Sequence, residues 1–324
     1  MKHIVPERGV EQRSAYSGTR FRCILLTLAL FAELEAWAGC PNYDEVLNYA
    51  QAYWDRRPAE GFSGVATLGE AYCAQGIVAA EIGRRMGTPA GYRVALSSGE
   101  AQQRHGLPHP IRGFLFEHMF LNSGVSIPAD FAAVPVVSAD LIAVVKGEDF
   151  QHAKSPLDLL EHIDYLLPFI QLSDASPGNS QSALTLIATN LGTRFGVVGT
   201  PIPVEHTQAF YEKLAAMRVV MTDGEGNELG AGYGSESLEH PLHTLHWLGR
   251  DLEYNAQRIQ PGDRLSVGAF FAPIPARAGQ EISVRYIGLP GEPRVSIRIS
   301  EPIGGLLDVA ERHECFTNPT LCNR

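Results

Sequence analysis

Two long apolar segments constrain the fold of this chain more than any other feature of its sequence. Residues 135–143 read PVVSADLIA, and residues 166–174 read LLPFIQLSD. The first segment has the pattern of a strand. Because strand side chains alternate between two faces, Ser138 and Asp140 point the same way. In the second segment Gln171 stands among aliphatic residues. These few polar residues in an apolar setting are the first candidates for a functional site.

The composition is that of a folded globular protein. The chain has 324 residues, of which 45% are hydrophobic, and a formal net charge of −10 at pH 7. This charge disfavours nucleic acid or an anionic membrane surface as a partner, because both repel an acidic protein. No basic run with interleaved aromatic residues opposes that conclusion.

The N-terminus has the pattern of a secretory signal peptide. Arg20 and Arg22 precede an apolar run at 24–32, and Ala-Trp-Ala at 36–38 supplies the small residues of a cleavage site. We predict a signal peptide over 1–38 and a periplasmic or secreted protein. The run is too short to span a bilayer, and the alternative is a buried N-terminal helix.

The cysteines agree with export. Cys23 leaves with the signal, and the other four allow three pairings. Cys315 and Cys322 close a short loop, which leaves Cys40 to pair with Cys73 in an oxidising compartment. Two alternatives stay open: Cys40 carries a lipid as a lipoprotein cysteine, or all four cysteines are reduced and buried.

The order of predicted elements indicates an α+β fold with a mixed sheet. Helices lead, strands dominate the second half, and no regular alternation of strands and helices occurs. The predicted helices cover 43–55, 68–86, 155–165, 205–217 and 237–252. The predicted strands cover 92–96, 135–145, 265–270, 281–287 and 294–299, with a hairpin over 218–231 and a loop over 105–113. No dinucleotide fingerprint, P-loop or serine-nucleophile elbow is present.

Several short motifs, taken in order, resemble the 2-keto-4-pentenoate hydratase and 4-oxalocrotonate decarboxylase group of the fumarylacetoacetate hydrolase superfamily. Besides the two apolar segments, they are EAYCAQ at 70–75, GYRVALSS at 91–98, HPIRG at 109–113, ATN at 188–190, GAG at 230–232 with HP at 240–241, and PGD at 261–263. The resemblance covers about residues 43–300 and is specific through the order of the motifs.

The resemblance implies a mixed β-sheet roll with N-terminal helices, formed by a single domain over 39–324 with a cysteine-containing tail. It implies a lyase that acts on a small 2-oxo acid held by Mg²⁺ or Mn²⁺, and a possible homo-oligomer. The metal positions of the family correspond to Ser138, Asp140 and Gln171, where the family has three Glu. The family's Lys corresponds to Arg93, and an Asp in the following loop corresponds to Ile111.

These replacements weaken the predicted metal site. Hard divalent cations prefer anionic oxygen ligands, and one carboxylate remains where the family has three. Arg93 cannot act as a general base at neutral pH, but it is suited to clamp a carboxylate. Two hypotheses follow: a hydratase-like lyase with a degenerate metal site, or an exported non-catalytic relative that binds a small carboxylate or a protein partner.

Further candidates come from the matched motifs and loops. The predicted catalytic residues are Arg93, Ser98, His105 and His109. The predicted substrate-binding residues are Arg93, Arg112, Asp174 and Asn190. The two loop histidines suggest a third hypothesis, acid–base chemistry without a metal. His240, His243 and His246 have a spacing that permits a shared metal, but a polar helix face is the favoured interpretation.

Overall fold

The structure is a computed structural model that describes residues 40–303, except residue 60 and residues 177–181. The predicted signal segment 1–38 and the predicted Cys315–Cys322 pair lie outside these residues. Within the described ranges, no helix is both long enough and apolar enough to cross a membrane.

The described residues form six α-helices, and the first two confirm the predicted bounds. The helices are α1 (Tyr43–Asp55), α2 (Leu68–Met86), α3 (Gly99–His105), α4 (Ala183–Ala188), α5 (Gln208–Ala216) and α6 (Pro241–Tyr254). Side-chain caps fix where α1 and α2 begin. Asn42 accepts the backbone N–H of Asp44 at 3.0 Å, and Thr67 and Glu70 form a capping box.

A disulfide joins Cys40 to Cys73 and confirms that predicted pairing. The two Cα atoms are 5.5 Å apart, a normal separation for a disulfide. It ties the segment before α1 to the body of α2. The sulfur of Cys40 is therefore not available to carry a lipid.

Fourteen strands in the described ranges form two sheets. They are β1 (Pro89–Ala95), β2 (Ile111–Phe116), β3 (Phe120–Asn122), β4 (Val125–Pro128), β5 (Pro135–Val145), β6 (Ile163–Asp174), β7 (Thr193–Val198), β8 (Ile202–Pro203), β9 (Arg218–Thr222), β10 (Glu228–Tyr233), β11 (Arg264–Ser266), β12 (Ile274–Pro275), β13 (Glu281–Ile287) and β14 (Arg294–Ser300).

Both sheets are mixed, as the α+β prediction requires. The larger sheet has the order β2-β1-β11-β5-β6-β7-β3, with β12 on β5 and β8 on β6. The smaller sheet has the order β10-β9-β13-β14-β4. The β1–β11 and β4–β14 pairs are parallel, whereas β5–β6 and the predicted hairpin β9–β10 are antiparallel.

The central pair β5–β6 explains the two apolar segments. Nine of the eleven residues of β5 and ten of the twelve of β6 are buried, so both faces of this pair are covered. In the observed register Ser138 lies opposite Gln171. Tyr286 of β13 joins this pair to the smaller sheet: its hydroxyl accepts the N–H of Phe169 at 3.0 Å and donates to the carbonyl of Asp140.

Three local predictions are wrong. The helix expected over 155–165 is a short 3₁₀ turn, Asp158–His162, that leads directly into β6. Pairing with β5 along the whole of β6 decides this, because it overrides the local helix signal at Ser155. The loop expected over 105–113 ends earlier, since β2 begins at Ile111. The strand expected over 265–270 stops at Ser266, and α3 was not predicted.

Candidate functional site

A cavity of about 380 Å³ lies where β1, β5, β6 and α3 meet. It brings together five of the predicted site residues, which come from three strands, the α3 cap and the end of α3. The predicted residues in its lining are Arg93, Ser98, His105, Ser138 and Gln171. The rest of the lining that matters below is apolar wall and acidic rim.

Arg93 is the only one of these five residues that carries a permanent charge. Its side chain leaves β1 with 7% of its surface exposed. One terminal nitrogen donates to the carbonyl of Leu191 at 2.8 Å and to the hydroxyl of Thr193 at 3.1 Å. Burial lowers the pKa of Arg93 to about 10, while the nearby charge of Asp140 opposes the shift. The guanidinium is therefore still protonated at neutral pH.

A left-handed backbone segment holds the carbonyl that Arg93 contacts. Asn190, Leu191 and Gly192 have φ values of 52°, 58° and 60°. The Asn190 side chain accepts the N–H of Phe114 at 2.7 Å and donates to its carbonyl at 3.1 Å, so it stands in for a strand neighbour of β2. Asn190 thus shapes the segment that positions Arg93, and its predicted place in substrate binding is not at the cavity wall.

Ser138 and Gln171 face each other across the central strand pair. The Ser138 hydroxyl donates to the side-chain oxygen of Gln171 at 3.3 Å. Both residues are almost fully buried, with 2% and 1% of their surface exposed. Among the described residues, neither the Gln171 amide nitrogen nor the Nε of Arg93 has a hydrogen-bond partner. Such buried donors are costly to leave unpaired, which points to an acceptor-rich ligand.

Asp140 lies below the cavity wall and is fully buried. One carboxylate oxygen accepts the N–H of Leu141 at 2.6 Å, and the other accepts the hydroxyl of Ser266 at 2.5 Å. Burial raises the pKa of Asp140 to about 6, although these hydrogen bonds and Arg93 oppose the shift. Asp140 is placed as a counter-charge to Arg93 rather than as part of the cavity lining.

The residues present do not fit the divalent metal of the family. Mg²⁺ and Mn²⁺ take hard, mostly anionic oxygens. Asp140 is the one carboxylate of the three corresponding positions, and both its oxygens already accept hydrogen bonds. Beside it stand a guanidinium and an amide N–H, both donors. In the described part of the chain, no group of three or more His, Cys, Asp or Glu could hold a metal ion.

Helix α3 supplies two predicted residues to the cavity. Ser98 is its N-cap, and its hydroxyl accepts the N–H of Ala101 at 3.2 Å. That bond gives Ser98 a structural task, and no nucleophile–base pair involves it. His105 ends α3 and is half-buried at the cavity wall.

The remaining predicted residues form structural contacts away from the cavity lining. His109 stacks on Trp247 with ring centroids 6.3 Å apart. Arg112 forms an ion pair with Asp251, and its guanidinium lies 4.5 Å from the centre of the Tyr72 ring. These contacts occupy the groups that were expected to bind substrate.

Asp174 also has a structural environment. It pairs with the buried Arg194 at 2.6 Å and accepts the N–H groups of Ala133 and Val134 at 3.1 Å. This pairing helps to hold the pKa of Asp174 below its ordinary value, against the opposing effect of burial. Its carboxylate is thus fully engaged at the end of β6.

The three histidines of α6 do not share a site. His240 is the N-cap: one ring nitrogen accepts the N–H of Leu242 at 3.0 Å, and the other donates to the carbonyl of Tyr211 at 2.9 Å. His243 bonds to the carbonyl of Leu238 at 2.9 Å and to the Tyr211 hydroxyl at 3.0 Å. Each ring of this pair has two partners, so the interpretation as a structural helix face holds for them.

Sequence reasoning missed the residues that hold Arg93 and Asp140 in place. Leu191, Thr193 and Ser266 lie far along the chain from their partners, and none carries a motif. Glu236 and the Phe270–Phe271 pair also line the cavity. Phe270 fits the prediction of a core residue as well, since only 2% of its surface is exposed.

Known proteins similar to this chain agree on one group. A 4-oxalocrotonate decarboxylase from Pseudomonas putida is 26% identical over 226 residues, which are 69% of this chain and 83% of that protein. A 2-oxo-hept-4-ene-1,7-dioate hydratase from Escherichia coli is 26% identical over 60% of this chain and 74% of that protein. A 2-keto-4-pentenoate hydratase from Dechloromonas aromatica is 26% identical over 64% and 76%. No model of a protein family matches the chain.

Solved structures give the same answer for the fold. The 4-oxalocrotonate decarboxylase from Pseudomonas putida G7, complexed with magnesium and adipate, superposes with a TM-score of 0.70 at 23% identity, over 79% of this chain and 96% of that chain. A Yersinia pestis protein described as belonging to the fumarylacetoacetate hydrolase family gives 0.50 at 15% identity, over 66% and 94%. This chain has the fumarylacetoacetate hydrolase-like fold. Its homologues are decarboxylases and hydratases, as the resemblance predicted.

Proposed function

We propose that this protein binds a small 2-oxo acid, or a closely related carboxylate, in the Arg93 cavity without a divalent metal. One observation carries the proposal: Arg93 and Gln171 line the cavity, and each keeps a buried N–H without a partner in the described structure. A carboxylate supplies acceptors for both donors and a charge that matches the guanidinium.

The chemistry of the cavity supports recognition through donors. In a hydratase that uses a metal, the cation polarises the carbonyl of the substrate. Here the fixed charge comes from Arg93, which Leu191 and Thr193 hold from the other side. Its planar fork suits two adjacent oxygens, such as those of a carboxylate or of a 2-oxo acid.

Isothermal titration with 2-oxopentanoate, in EDTA and then in Mg²⁺, tests the proposal. We expect binding in EDTA that Mg²⁺ does not tighten. Arg93→Gln should weaken it by about thirtyfold or more, since loss of a buried charged partner costs about 2–5 kcal/mol. Arg104→Gln is the matched control, because it removes the same charge from an exposed position at the cavity.

Two results would contradict the proposal. One is binding that appears only when Mg²⁺ or Mn²⁺ is present, which would restore the family's metal chemistry. The other is an equal effect of the Arg93 and Arg104 variants, which would reduce Arg93 to a contribution to net charge. Circular dichroism of Arg93→Gln separates loss of binding from loss of folding.

A second candidate function is turnover of the same acid as a carbon–oxygen lyase. The homologues named above are hydratases and decarboxylases, and His105 lies at the cavity wall with a side chain that exchanges protons near neutral pH. In this role Arg93 holds the carboxylate and the 2-oxo oxygen while His105 carries a proton. Assay with 2-hydroxypenta-2,4-dienoate tests it: turnover that His105→Gln abolishes without changing 2-oxopentanoate binding supports the lyase, and absence of turnover rejects it.

A further inference from the structure

The Arg93 cavity has two ends of opposite charge preference. At the inner end are the guanidinium of Arg93 and the amide of Gln171, both buried. At the rim are the carboxylates of Glu100 and Glu236, both exposed. A ligand that reaches from one end to the other therefore passes from a site that attracts anions to a site that repels them.

The wall between the two ends is apolar. It contains aliphatic and aromatic side chains and offers no charged group between the donors and the rim. The apolar wall residues are Leu96, Leu186, Leu191, Phe270, Phe271 and Pro273. Each methylene buried against such a wall adds to binding by about fourfold.

The two rim acids differ in how far they are neutralised. Glu100 pairs with Arg104 at 2.5 Å, one turn away on α3, so its charge is largely compensated. Glu236 has no ion pair within the described part of the chain. It ends the short turn Gly234–Glu236, which packs against α5 and lies beside the cavity.

We infer that Glu236 is a specificity-determining residue that makes the cavity select acids with one carboxylate and an apolar tail over dicarboxylates. The inference rests on the proposed function, since it assumes that the first carboxylate binds at Arg93. A second carboxylate at the rim meets the uncompensated charge of Glu236. At a half-solvated distance of about 6 Å, like-charge repulsion of this kind weakens binding by about tenfold.

Titration with a matched pair of ligands, 2-oxohexanoate and 2-oxoadipate, tests the inference in EDTA and low salt. The two acids have the same length and differ in the charge of the far end. We expect wild-type protein to prefer 2-oxohexanoate by about tenfold or more. Glu236→Gln should remove most of that preference by tightening 2-oxoadipate alone. Glu239→Gln is the control, because Glu239 is a neighbouring exposed acid that does not line the cavity.

The outcomes separate this inference from the proposed function. Equal binding of the two acids, or a preference that Glu236→Gln leaves intact, overturns the role of Glu236 and leaves the carboxylate site standing. Failure of both acids to bind overturns the carboxylate site and the inference with it. A preference that Glu239→Gln removes equally well would overturn the inference, since it would show a general effect of surface charge.

Discussion

Acidification should destabilise this protein through His240. The ring is 3% exposed and caps α6, with one nitrogen accepting the N–H of Leu242 and the other donating to the carbonyl of Tyr211. A proton on the accepting nitrogen would face an N–H donor at the positive end of a helix. Burial, followed by the charge of His243, lowers the pKa of His240 from 6.5 to about 4, against the raising effect of the bond to Tyr211.

The sign and size of the effect follow from proton linkage. A histidine whose folded pKa is below its unfolded pKa binds fewer protons when folded. Its contribution to stability is therefore complete above pH 6.5 and is lost as the pH falls towards 4. Between about pH 7.5 and about pH 5 the loss is about 2 kcal/mol.

Urea unfolding of wild-type protein and of His240→Asn over this pH range measures the effect. Asn keeps an acceptor at the N-cap and does not titrate. We expect the stability of wild-type protein, relative to the variant, to fall by about 2 kcal/mol on acidification. His206→Asn controls for the loss of a histidine, because His206 is exposed. Parallel curves for wild-type protein and His240→Asn would refute the reasoning.

Three further predictions concern stability. Asn190→Ala removes two hydrogen bonds to the β2 backbone and should cost about 2–4 kcal/mol in urea unfolding, and a loss below about 0.5 kcal/mol would contradict the proposed positioning role. Replacing Cys40 and Cys73 with Ser removes a crosslink between residues 33 positions apart and should cost about 3–4 kcal/mol by calorimetry, whereas an unchanged transition would contradict the disulfide. Gly192→Ala places a Cβ 2.2 Å from a backbone carbonyl oxygen at a φ of 60° and should cost about 3 kcal/mol or more, whereas Gly106→Ala, at a φ of 67° with open space, should cost about 1 kcal/mol, and equal costs would contradict this account.

Much of the fold could be predicted because its signals are local. Caps and apolar periodicity fixed α1 and α2, and the aliphatic run at 135–145 fixed β5 to the residue. The failures share one cause. The segment 155–165 has a good helix start, yet β6 pairs with β5 over its whole length, and no local signal reports a partner that lies across the sheet.

The candidate site was predictable only in its chemical types. The sequence alone determined that the cavity positions would carry Ser138, Gln171 and Arg93 instead of carboxylates and Lys, and so that a hard cation would be poorly held. Only the tertiary structure decided that Arg112 and Asp174 are consumed by buried ion pairs, that both oxygens of Asp140 are engaged, and that Glu236 joins the rim. Residue type limits which bonds a side chain is able to make, whereas folding chooses its partners from distant parts of the chain.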